Sequence, residues 1–260
     1  MVIRRIREHV TAQNWFAVGI DFLIVVAGVF IGTQATIWND RRIEREQSRT
    51  YRARLIDELD FNTLQFRQQI AYYGQIRNHG IATLRSLQSP APRSGRDFLV
   101  DAYQATHIDT GAPKRFIYDE MISAGLVDRL GGDRIQNVAS DYYLEIEANE
   151  RTLREIFPFR TTMRTVMPYA AQKAIRDRCG DIAVNHGQRV IGYRLPKVCD
   201  VALGPTVIGD GVTRIRAQPR IADELTRYLA SLDEKLNVLD INLKRTEDLK
   251  ATLSDAAGRS

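Results

Sequence analysis

Between Phe16 and Ile37 the chain runs for twenty-two residues with a single charge, Asp21, and Trp15 and Trp38 bracket the stretch. A segment this long and this apolar exceeds an ordinary core helix and fits one bilayer crossing. Trp15 to Trp38 spans roughly 35 Å of helix at about 1.5 Å per residue, which sets the two indoles near opposite membrane interfaces as an aromatic belt. A cleavable signal peptide also starts with a basic tail, here Arg4, Arg5 and Arg7, but its apolar core is shorter and ends in small residues. Thr33-Gln34-Ala35 is a feeble cleavage candidate, and an uncleaved anchor is the expectation.

One stripe of that helix is distinctive. At 100° per residue Asp21, Gly28, Gly32 and Ala35 fall within about 60° of one another. Gly28 and Gly32 form a small-xxx-small pair of the kind that lets a second helix approach closely. Asp21 is a costly residue in lipid, reduced in cost by lying near the Trp15 end. It either snorkels to the interface or bonds to a partner helix. The expected partners are therefore the lipid bilayer and a membrane helix of this or another protein.

Some 220 residues follow, enough for one domain with its own core. Charged residues are 27% and hydrophobic ones 44%, a globular balance. The net charge of +5 reads as attraction to anionic headgroups, and no nucleic-acid-binding motif is visible, so no nucleic-acid partner is expected. Orientation is contested within the sequence. Arg41, Arg42, Arg45, Arg49, Arg52 and Arg54 outnumber the three arginines before the helix, which favours a cytoplasmic carboxyl domain. A short basic tail ahead of a signal anchor, offset by Asp40, Glu44 and Glu46, favours the reverse. The expectation is an amino terminus in the cytoplasm and a domain outside it. There Cys179 and Cys199 can bridge, closing a loop worth on the order of 3 kcal/mol; the alternative is two buried free thiols.

The periodicity predicts an all-α chain, with the membrane helix continuing into a long helix of an elongated bundle. Residues 1–14 form a basic amphipathic tail, 15–38 the membrane helix, and 39–88 a long juxtamembrane helix with Leu55, Leu59, Asn62, Phe66, Ile70 and Tyr73 on its seam. Ser89-Pro-Ala-Pro breaks it. Residues 96–178 form a helical domain: a short helix over Asp97 to Thr106, another from Phe116 stopped by Gly125, one from Arg134 to Ile156, and one from Thr161 to Arg178 bent at Pro168. Residues 179–218 read as an irregular insert with a small β-hairpin, in which Gly209-Asp210-Gly211 is a turn. Residues 219–254 form a last helix whose Ile221, Leu225, Tyr228, Leu232, Leu236, Leu239 and Leu243 make a heptad-like seam for the long helix, before a fraying tail.

Several of these patches together resemble a family of uncharacterised bacterial single-pass membrane proteins, a domain of unknown function. An acid early in the membrane helix, Ile37-Trp38-Asn39-Asp40 at its end and Leu55-Ile-Asp-Glu-Leu59 beyond it are similar to that family's pattern. So are Tyr118, Glu120, Met121, Ala124, Gly125 and Leu126, followed by the pair Tyr142-Tyr143. Met121 and Ala124 depart conservatively from the pattern, and Asp21 stands where a Glu is usual. The resemblance implies single-pass topology in a bacterial inner membrane and supplies no catalytic residues.

Chemistry is sparse. His9, His79, His107 and His186 lack companions at metal-ligand spacing, and nucleophile-elbow, phosphate-loop and zincin patterns are absent, so no cofactor or metal is expected. Tyr118 and Glu120, beside the Gly125 stop, form a candidate partner groove. The leading expectation is a non-enzymatic anchored module acting through protein contact, as scaffold or accessory subunit. The alternative is an envelope-associated enzyme with its site in residues 180–218, signalled by a cavity gathering His186, Asp200 and Asp210.

Overall fold

The computed structural model describes residues 15–89 and 94–258, with side chains described over 19–89 and 94–256. The predicted basic tail over residues 1–14 and the indole of Trp15 lie outside what is described. The elements are α1 (Trp15–Gln88), α2 (Gly95–Gln104), α3 (Phe116–Ser123), a 3-10 turn (Val127–Leu130), α4 (Asp133–Arg154), α5 (Pro158–Val166), α6 (Tyr169–Cys179), β1 (Ile182–His186), β2 (Arg189–Arg194), α7 (Pro205–Arg216) and α8 (Ile221–Gly258). The chain is all-α with one small antiparallel hairpin, as the periodicity predicts. It divides into two units, Met1–Thr50 and Tyr51–Ser260.

In the first unit the described residues are helical, and Phe22, Leu23, Ile24, Val29, Phe30 and Ile31 all stand exposed. It carries, among the described residues, the one helix long and apolar enough to cross a membrane, and none of its most apolar window is buried. Among the described residues nothing in this unit covers those side chains. Asp21, Gly28, Gly32 and Ala35 share this exposure, and no atom lies within 4 Å of where a Cβ on Gly28 or Gly32 would stand.

The second unit is built around the carboxyl-terminal part of α1, which is buried on more than one face. Leu55, Leu59, Phe66 and Ile76 lie on the predicted seam or its continuation and are fully enclosed, while Tyr72 and Gln69, off that seam, are also buried. Helix α8 packs along α1 and against α4. Arg67 pairs with Glu247 at 2.6 Å, Arg77 with Asp233 and Lys250 with Asp60 along the α1 side, while Asn149 donates to Asn242 at 2.7 Å on the α4 side. The heptad-like seam thus serves two neighbours. It shifts after Leu239 to Asn242, Thr246, Leu249 and Leu253, and the helix extends to Gly258, past the predicted fraying point at Ser254.

Two expectations are corrected. Pro168 separates α5 from α6 instead of bending one helix, taking the N-cap of α6, while α4 ends at Arg154 and Pro158 opens α5 at a first-turn position suited to its missing N–H and fixed φ. Gly209-Asp210-Gly211 is not a turn: it lies inside α7, begun by Pro205. A Cβ at Gly211 would stand 3.0 Å from Leu99 and 3.3 Å from Pro168, so that glycine serves close packing of α7 on α2. Gly125 does adopt the left-handed backbone expected of a helix stop, with φ +66°.

Candidate functional site

Three separate stretches meet behind the hairpin. Tyr72 comes from the enclosed face of α1, His107 from the segment after α2, and Asp181 from the residue before β1. The Tyr72 hydroxyl donates to Asp181 Oδ1 at 2.6 Å, and His107 Nδ1 lies 2.9 Å from the same oxygen. Tyr72 and His107 are themselves 3.3 Å apart. The hairpin base is set by the disulfide between Cys179 and Cys199, with Cα atoms 5.5 Å apart, and by Gln104, which donates to the Cys179 carbonyl at 2.7 Å.

Burial raises the Asp181 carboxyl, but the bonds from His107 and Tyr72 outweigh it and leave its pKa below the ordinary value. The carboxylate is therefore ionised at neutral pH. Burial first, and then Asp181, push the Tyr72 phenol far above its usual range, so it stays a donor. With Asp181 ionised, Nδ1 is the ring nitrogen that donates to it, and Nε2 is the other ring nitrogen. That Nε2 is buried and has no hydrogen-bond partner among the described residues. A histidine and aspartate so arranged resemble the orienting half of a hydrolytic triad, but no hydroxyl or thiol meets Nε2. The three residues work as a tie between hairpin and bundle.

A second polar row fixes the segment between α2 and α3. Gln69 donates to Gly111 O at 2.8 Å and Gln65 to Ala112 O at 3.0 Å, while Asn62 exchanges bonds with the backbone of Lys114. Asp109 caps this segment by accepting from Gly111 N at 2.7 Å, but its Oδ2 is buried without a partner and burial raises its pKa.

The residues singled out from sequence are distributed as follows. Tyr118 is buried, its ring stacked on Tyr143 with centroids 4.1 Å apart. Glu120 accepts both guanidinium nitrogens of Arg54, at 2.9 and 2.6 Å, and the Tyr51 hydroxyl at 3.3 Å. Both are spent on internal contacts. An open cleft of about 490 Å³ does lie beside them, lined by Arg54, Phe61, Lys114, Phe116 and Arg189, so the chain near Tyr118 and Glu120 borders a groove without those two side chains forming it. His186 lines a different cleft, with Asp60, Arg67 and Lys250. Asp200 meets Arg96 at 3.3 Å, and Asp210 pairs with Arg214 at 2.7 Å within α7. The three residues named for an enzyme site thus stand in different surroundings, His186 on a cleft, Asp200 at Arg96 and Asp210 within α7. No group of three or more metal-ligating side chains forms among the described residues.

Set against protein-family models, curated proteins and solved structures, the chain matches none.

Proposed function

We propose that this chain is a membrane-anchored interaction module of a bacterial inner membrane, single-pass, with its helical body outside the cytoplasm. The observation that carries the reading is the uncovered apolar run of α1: a helix whose large side chains are exposed over the length of a bilayer needs lipid or another helix around it. The disulfide supports an oxidising compartment for the body. The body's buried ionisable groups largely hold elements together, which favours a scaffold or accessory role over catalysis. The resemblance to single-pass membrane proteins of unknown function points to the same topology.

Within the bilayer, the Asp21, Gly28, Gly32 and Ala35 stripe is the proposed contact for a partner helix, since space around both glycines is open. The test is cross-linking in membranes followed by purification of the intact chain, compared with a variant carrying Asp21→Leu, Gly28→Leu and Gly32→Leu. Loss of a cross-linked species in the variant supports the stripe. Unchanged partners and mass would remove it from the proposal.

A further inference from the structure

We propose that Gln65, Gln69 and Asp109 form a binding site for a monovalent alkali cation such as sodium, a site that goes beyond the anchoring role and does not depend on it. Gln65 and Gln69 stand one turn apart on α1 and are more than nine-tenths buried, at 7% and 3% exposure. Asp109 comes from the segment between α2 and α3. Gly111 gathers the three end groups about one point: a Cβ there would stand 2.8 Å from Gln65 Nε2, 3.0 Å from Asp109 Oδ1 and 3.4 Å from Gln69 Nε2. Gln69, Asp109 and Gly111 also line one small cavity of about 20 Å³, together with Tyr73.

Each of the three side chains commits one polar atom to that segment and keeps another unmet. Gln65 Nε2 donates to Ala112 O at 3.0 Å and Gln69 Nε2 to Gly111 O at 2.8 Å. Carbonyls only accept, so both amides are held in this orientation and oxygen cannot exchange places with nitrogen. Asp109 Oδ1 accepts from Gly111 N at 2.7 Å. Gln65 Oε1, Gln69 Oε1 and Asp109 Oδ2 are left buried, each without a hydrogen-bond partner among the described residues. The Tyr73 hydroxyl cannot serve them, because its proton goes to Asp109 O at 3.1 Å.

Three oxygens that only accept, one of them charged, call for a positive centre. A single water has two protons to give, so it would miss one oxygen and leave the charge of Asp109 uncompensated. No cation lies within ion-pair distance of Asp109 among the described residues, and the other acid on the cavity, Glu150, is matched by Arg154 at 3.1 Å. The excess is one negative charge, which an alkali cation cancels and a divalent ion overshoots. Calcium takes about six to eight oxygens and magnesium keeps several waters; a cavity of this size has room for about one water-sized body and holds no such shell. Burial by itself disfavours the charge on Asp109, and a bound cation meets it. Only one acidic side chain takes part, which agrees with the lack of any three-membered histidine, cysteine or acidic cluster among the described residues.

The test follows the sodium NMR line width of the intact chain in neutral detergent, at neutral pH and fixed ionic strength, with sodium chloride exchanged stepwise for choline chloride. Saturable excess broadening is expected, with a melting temperature that rises as sodium replaces choline. Asp109→Asn keeps a carbonyl for Gly111 N, loses the charge and should lose both effects. Gln69→Leu removes one oxygen and should weaken binding about tenfold. Glu150→Gln should behave as the native chain does, and melting in choline alone confirms that each variant folds. If Gln69→Leu does not fold, the isosteric Asp109→Asn carries the comparison. Calcium at equal concentration should not displace sodium. Equal line widths in the native and Asp109→Asn chains, a melting temperature indifferent to sodium, an equal loss in Glu150→Gln, or displacement by calcium would overturn the proposal, and the first two together would assign the oxygens to ordered water.

Discussion

The Tyr72 hydroxyl donates a 2.6 Å hydrogen bond to the Asp181 carboxylate across 109 residues of chain, and through it the hairpin is fastened to the long helix at the centre of the body. His107 meets the same oxygen from a third segment. An ionised carboxylate that accepts two bonds while half out of solvent is an electrostatic contributor to folding whose sign with pH is fixed.

The folded-state pKa of Asp181 is below its ordinary value of 3.8, so its contribution is fully present above that value. It is lost as pH falls through the lower folded value. Acid denaturation followed by circular dichroism should therefore be shallower at its acid limb in Asp181→Asn, with the native and variant chains converging at the lowest pH. Identical acid limbs would contradict the tie.

Asp109 has the opposite sign. Burial raises its pKa above 3.8, so the folded chain keeps that proton longer than the unfolded one, and stability falls as pH rises through the window between the two values. Asp109→Asn retains a carbonyl for Gly111 N and should lose this dependence. Thermal melts in steps across the window measure it, with the variant gaining on the native chain as pH rises.

The Cys179–Cys199 bridge closes a separation of 20 residues. Replacing both cysteines by serine should cost about 3 kcal/mol in the chain-entropy picture. Denaturant unfolding of the native chain with and without reductant provides the comparison, and the double variant should be insensitive to reductant.

Glu58 and Glu120 make a matched pair for separating interior from surface. Glu58 accepts the Tyr143 hydroxyl at 2.7 Å and the Ile117 amide at 2.8 Å, deep in the core. Glu58→Ala leaves the buried Tyr143 hydroxyl and the half-buried Ile117 amide unmet and should destabilise by about 2–4 kcal/mol. Glu120 faces Arg54 near the surface, with side chains about a third exposed, and a double-mutant cycle on that pair should give a coupling that is small beside the loss at Glu58, because solvent screens it. A larger coupling would mean that Glu120 matters more than its setting indicates.

The long apolar run and the heptad-like steps of α8 were readable because each is a local period repeated over several turns. Helix α7 was not: Gly209 and Gly211 look like turn residues in isolation, and only the approach of Leu99 and Pro168 explains a glycine within that helix. The Tyr72, His107 and Asp181 tie has no local spacing at all. Tyr72 sits one position off the seam marked by Ile70 and Tyr73, and a seam describes a helix with one buried face, whereas the carboxyl-terminal part of α1 is buried on more than one. Tyr118, read from sequence as part of a candidate partner groove, is buried with its ring stacked on Tyr143, a contact that no local spacing signals.

Whether lipid surrounds residues 19–37 is decided most directly by alkaline carbonate extraction of membranes containing the intact chain, with amino-terminal sequencing of the recovered protein. Retention in the membrane pellet with the apolar run still attached is the predicted result. Recovery in the soluble fraction, or a product that begins downstream of Ala35, would contradict it.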